Sequence, residues 1–112
     1  MQVFRTVAES ADRPYSYVIV TTKALPEITP TSALLAPLLA DKGSYPLPTF
    51  VLLQNGLSVE KELYEAIKKL GRGEPRIIST ALWIGTNVLE GNIVDHSHPV
   101  RNHVFLRICL FN

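Results

Sequence analysis

Val18-Ile19-Val20-Thr21-Thr22-Lys23-Ala24 is an apolar, β-branched run that ends in a lysine. Phe50-Val51-Leu52-Leu53-Gln54-Asn55-Gly56 is a second apolar run, ending in amides and a turn. Both read as buried strands, since near-continuous β-branched and aromatic runs suit a sheet covered on both faces. Each delivers one polar side chain, Lys23 or Asn55, at its C-terminal end. In an open α/β sheet, ligands bind beyond that end of the strands.

The segments around these runs fit the same scheme. Leu25 to Ala40 reads as a helix capped by Thr29, with Pro30 at its first position and Leu34, Leu35, Leu38 and Leu39 at helical spacing. Pro37 falls inside that pattern and should kink or restart it. Asp41 to Pro48 is a loop, rich in proline. Asn55-Gly56 is also a hairpin signal, but a helix follows it rather than a strand. Val59, Leu63, Ala66, Ile67 and Leu70 share one helical face, with Ser58 placed to cap and Gly71 placed to stop it. Lys61–Glu65 and Glu65–Lys69 are spaced to pair across a turn. Arg76 to Leu82 reads as a third buried strand. At the start, Gln2 to Val7 is a short strand candidate, and Ala8 to Ser16, with Pro14, is a turn. Gly85 to Gly91 reads as a turn region, and Asn92 to His96 as a short strand suited to antiparallel pairing. Asn102 to Phe111 alternates as a strand would. Strand–helix–strand–helix–strand order implies right-handed crossovers and a mostly parallel sheet with flanking helices.

Composition bounds the function. The 112 residues make one domain, with 46% apolar and 19% charged residues, as in a folded globular chain. A net charge of +1 and no basic block argue against a nucleic-acid partner. No apolar run approaches the roughly 18 residues of a membrane helix, and no secretory signal opens the chain. The lone Cys109 points to a reducing compartment, so the expected location is cytoplasmic.

Lys23 reads either as a cation aimed at a phosphate or carboxylate, or as a solvated lysine closing a strand. Asn55 reads either as an amide donor to a ligand or as a residue tolerant of a left-handed turn. Their matched placement favours the functional reading of both. His96, His98 and His103 invite a zinc reading, but no carboxylate or second cluster completes a ligand set. No Gly-x-Gly-x-x-Gly, no Gly-x-x-x-x-Gly-Lys-Ser/Thr and no Gly-x-Ser-x-Gly occurs. Trp83 and the tyrosines read as core or helix cover.

Three blocks carry a family likeness. Tyr15-Ser-Tyr-Val-Ile-Val-Thr-Thr-Lys-Ala24, Leu53-Gln-Asn-Gly-Leu-Ser-Val-Glu60 and Gly85-Thr-Asn-Val-Leu-Glu-Gly-Asn-Ile-Val-Asp-His96 occur in the order and near the spacing of the ketopantoate reductase family. The chain resembles that family, the NADP-dependent 2-dehydropantoate 2-reductases, over roughly residues 2 to 98. The resemblance implies a partial, incomplete Rossmann-type NADP-binding domain over residues 1–100, followed by a divergent tail over 101–112. It implies that Lys23 lies at the cofactor NADP, that Asn55 contacts cofactor and substrate, and that Thr86 or Asn87 passes near the nicotinamide. The substrate class would be a small 2-oxo acid. The family's glycine-rich loop and its helical domain, which carries the catalytic lysine, have no counterpart here. The chain is therefore expected to be a fragment with no catalytic residue of its own, inactive alone. Two alternatives stand beside it: an inactive fragment with an interaction role, and a piece of another NAD(P)-dependent 2-oxo acid reductase.

Overall fold

In a computed structural model, which describes residues 2–40, 45–81, 87–95 and 105–107, β1 (Tyr17–Val20) runs parallel to β2 (Thr49–Leu53). β2 in turn runs parallel to β3 (Ile77–Ala81). β4 (Asn87–Leu89) and β5 (Ile93–Asp95) form a separate antiparallel pair. β6 (Phe105–Arg107) returns antiparallel to β3, so the main sheet has the order β1-β2-β3-β6. The expected α/β fold with a mostly parallel sheet is therefore present, and one antiparallel strand borders it.

The helices follow from local chemistry. α1 (Val7–Ser10) is where a strand was expected from Gln2 to Val7 and a turn from Ala8 onward. Thr6 and Glu9 explain the difference. The Thr6 side chain accepts from the Glu9 N–H at 3.2 Å, and the Glu9 carboxylate accepts from the Arg5 N–H at 3.1 Å. This is close to a capping box, and it satisfies donors that a nascent helix leaves open. The expected helix from Leu25 to Ala40 is instead a tight turn bridging Leu25 and Thr29, then α2 (Thr31–Leu34) and α3 (Ala36–Leu39). The chain breaks at Leu35, because Pro37 has no N–H to give to the turn before it and instead suits the first turn of α3. Pro30, not Thr29, occupies the cap of α2.

α4 (Val59–Lys69) is the one long helix among the described residues. Its acidic residues Glu60 and Glu62 sit in the first turn and Lys68 and Lys69 in the last, complementing the helix dipole. Gly71 ends it at φ 64°, giving its N–H to the Lys68 carbonyl at 3.2 Å. The pairs Lys61–Glu65 and Glu65–Lys69 do not form. Lys68 instead reaches Glu74 at 2.5 Å, and the Tyr64 hydroxyl donates to the same carboxylate at 2.8 Å. Hydrogen bonds from Lys68 and then Tyr64 hold the Glu74 carboxyl below its ordinary pKa. Lys68 prefers Glu74 because that carboxylate accepts from two donors at once.

Both crossovers lie on the same face of the sheet. Val20, Phe50, Leu52 and Ile77 point to that face and meet Leu35, Leu39, Leu63 and Ile67. Phe50, Leu52, Leu63 and Ile67 are wholly buried, and each is worth about 1.5–3 kcal/mol in burial alone. The opposite face is different. Tyr17 and Ile19 stand 64% and 62% exposed on it, and Val51, Leu53 and Ile78 are half-buried. Among the described residues β1 is thus an edge strand covered on one face only, which corrects the expectation of cover on both. Gly85 to Gly91, expected as a turn, contributes β4, and its pairing with β5 is antiparallel as anticipated.

Leu63→Ala or Ile67→Ala is expected to cost about 2–5 kcal/mol, since each leaves a cavity in this core. Leu57, 99% exposed, serves as the contrast: its change to alanine should stay within about 0.5 kcal/mol. Urea unfolding followed by circular dichroism measures both.

Candidate functional site

The register of β1 and β2 brings the two strand ends level. Val20 is paired with Leu52. Continuing that register by three residues on each strand sets Thr22 beside Gln54 and Lys23 beside Asn55. A hydrogen bond bears this out: the Gln54 amide nitrogen donates to the Thr22 carbonyl at 2.9 Å and to its hydroxyl at 3.3 Å. Ladder pairing ends at Val20 and Leu52, so Lys23 and Asn55 follow the carboxyl ends of two adjacent parallel strands. Both side chains are exposed. An ammonium and a carboxamide held side by side can grip an anion and orient a carbonyl.

Gln54 itself is 4% exposed. It continues the inward alternation of Phe50 and Leu52, which are also buried. The period of two was legible in the sequence and pointed Gln54 inward, but Asn55 alone was singled out there. The Gln54 carbonyl oxygen is buried without a hydrogen-bond partner.

The turn after Asn55 is fixed by its backbone. Gly56 has φ 141°, and a Cβ at that position would lie 2.6 Å from a Val59 methyl carbon. Ser58 then adopts a left-handed conformation at φ 57° and makes no side-chain capping bond, contrary to the expected cap. The turn thus spends one glycine and one strained serine to aim the first turn of α4 at the strand ends. Glu60, in that first turn, is buried, and its carboxylate accepts from the Ser79 hydroxyl of β3 at 3.3 Å. The Thr80 hydroxyl of β3 donates to the Leu52 carbonyl at 3.0 Å. Side-chain hydrogen bonds therefore tie β3 both to β2 and to the first turn of α4. Glu60 was not anticipated. Its helix-terminal position hinted at a dipole contact, but nothing in the sequence marked it as buried.

Asn87 stands apart from this pair. It opens β4, is exposed, and is paired with Asp95 in the separate two-stranded sheet. Lys23 and Asn55 follow the ends of β1 and β2, whereas Asn87 lies on another element. Thr86, Trp83, the histidines at 96, 98 and 103 and Cys109 lie outside the described residues. Among the described residues, no group of three or more metal-ligating side chains gathers. None of the helices is long and apolar enough to cross a membrane. A hollow of about 150 Å³ lies elsewhere, between Arg13, Tyr15, Pro37, Tyr45 and Arg72. The Arg72 guanidinium there is committed to the Leu39, Ala40 and Tyr45 carbonyls.

Comparison with known families gives one match. The family described as Ketopantoate reductase PanE/ApbA matches residues 2–104, and the chain belongs to that family. No curated protein and no solved structure matches the chain. Membership brings a Rossmann-like, nicotinamide-dinucleotide-binding character and a small-molecule substrate.

Gly56→Ala is expected to destabilise the protein by more than Gly71→Ala. Both impose a positive φ on a side-chain residue, at about 1–2 kcal/mol, but only Gly56 adds a clash. Gly71 has nothing within 4 Å of its notional Cβ. Thermal unfolding of the two variants side by side measures the difference.

Proposed function

We propose that this chain carries the cofactor-binding wall of an NADPH-dependent 2-dehydropantoate 2-reductase, which reduces 2-dehydropantoate to pantoate in pantothenate synthesis. The observation that supports it best is the level placement of Lys23 and Asn55 at adjacent parallel strand ends. Family membership gives that placement its chemical meaning.

The residues present fit a phosphorylated dinucleotide. Lys23 is an exposed cation without an ion-pair partner among the described residues. It would hold a phosphate of the cofactor. Asn55 would orient cofactor and 2-oxo acid together, its amide reaching a carbonyl or carboxylate oxygen. Asn87 would approach the nicotinamide from the β4 side. The bound cofactor supplies the hydride that the keto carbon receives. The residues named bind and orient; none is assigned to proton transfer. A soluble, cytoplasmic setting suits this reading.

NADPH fluorescence tests it directly. Titration of the chain should give a saturable change. Lys23→Gln should weaken binding by tenfold or more, since a charge-assisted contact is worth about 1.5–3 kcal/mol. Lys69→Gln, at the far end of α4, should leave it unchanged. No saturable change with the unaltered chain would overturn the proposal.

A further inference from the structure

The hollow bordered by Tyr15, Tyr45 and Arg72 lies at the edge where the strands begin, opposite to Lys23 and Asn55. Tyr15 stands two residues before β1, Pro48 directly before β2, and Arg72 between α4 and β3. Its walls are preformed. Pro14, Pro37, Pro46 and Pro48 line it and restrict their own backbone. The Arg72 guanidinium donates to the Leu39 and Tyr45 carbonyls at 3.0 and 2.9 Å, and Arg76 donates to the Leu47 carbonyl at 2.7 Å. Two arginines thus strap the segment that carries Tyr45 by its main chain. The Tyr15 hydroxyl donates to the Ser10 carbonyl at 2.5 Å, which fixes that ring as well. Walls held in this way lose little freedom when a ligand enters.

Volume and lining narrow the occupant. About 150 Å³ is room for one six-membered ring. The lining brings tyrosine rings, proline rings and guanidinium groups, surfaces on which a flat π-system packs. The cations there are already engaged, Arg13 with Asp12 at 2.6 Å and Arg72 with main-chain carbonyls. The hydrogen bond from Arg13 holds the Asp12 carboxyl below its ordinary pKa. At neutral pH Asp12 is thus a carboxylate, an acceptor without a donor. It favours an O–H or N–H nearby and opposes a second anion. We propose that this hollow is a further binding site, for a small, flat, uncharged aromatic molecule that bears one hydrogen-bond donor. It shares no residue with the proposed dinucleotide site and stands independently of it. A ligand here bridges the segments that lead into β1 and β2 with α3 and the turn after α4, so occupancy stiffens the edge from which the sheet starts.

Phenol is the probe. Tyrosine ring carbons of the whole chain are labelled with 13C and followed by NMR as phenol is added. The chain has four tyrosines, and they divide cleanly. Tyr15 and Tyr45 line the hollow. Tyr17 stands on the open face of β1, and Tyr64 on α4 is bonded to Glu74. Conversion to phenylalanine, one at a time, assigns the signals. The expected result is a shift of the Tyr15 and Tyr45 signals that saturates with one dissociation constant, on the order of 1 mM for so small a ligand. Tyr17 and Tyr64 should stay still. Tyr45→Ala should weaken phenol about fivefold, the worth of one aromatic pair. Ala11→Leu, which fills the hollow instead of opening it, should abolish the saturable shift, so the test stands if one variant fails to fold. Benzoate, the same ring with a charge, and cyclohexanol, similar in size but puckered, should each bind at least about fivefold more weakly. No saturable shift, or equal shifts at all four tyrosines, overturns the site. Benzoate or cyclohexanol binding as tightly as phenol overturns the ligand class.

Discussion

Parallel pairing of β1 with β2 forces the chain to travel back along the sheet before it can pair, and α2 and α3 occupy that return. The next pairing, β2 with β3, makes the same demand, and α4 meets it. Because both crossovers are right-handed and step the same way, their helices share one face. The buried cluster of Val20, Phe50, Leu52 and Ile77 against Leu35, Leu39, Leu63 and Ile67 is the consequence. The same parallel register carries Lys23 and Asn55 to one edge. Core and site are two results of a single constraint, and the Gln54–Thr22 bond extends it past the last ladder contact.

Much of this was visible in the residues themselves. Strand β2 and helix α4 announced themselves, one by its apolar run and the other by the spacing of Val59, Leu63, Ile67 and Leu70. The positions of Lys23 and Asn55 just past two strand ends were legible for the same reason, since strand ends can be read from where apolar runs stop. What was not legible depended on side chains bonding back to the main chain, or on what lies across the sheet. Thr6 and Glu9 made a helix where apolar content suggested a strand. Ser58 looked like a cap, but the turn at Gly56 placed it in a left-handed conformation. Continuous apolarity in β1 implied cover on both faces, whereas Tyr17 and Ile19 remain exposed. Local sequence reports preference for a strand, not its number of neighbours.

The site draws on few residues, yet each belongs to a different structural device. Lys23 ends a strand. Asn55 and Gly56 form the turn, with Gly56 admitted because no side chain fits against Val59. Glu60 anchors α4 to β3 through Ser79. The family match spans both of these strand ends.

Edge strand β1 has a further consequence for behaviour in solution. Tyr17-Val18-Ile19-Val20 is uncharged and free of proline, and among the described residues it pairs on one side only. Such a segment is a template for intermolecular strand addition. Its protection comes from the residues that flank it, Arg13 and Pro14 before it and Lys23 after it. Charges and prolines in those places act as gatekeepers against self-assembly. Lys23 therefore also serves colloidal solubility. Neutralising it removes a gatekeeper from an exposed, uncharged edge strand, so its charge matters for staying monodisperse whatever it binds.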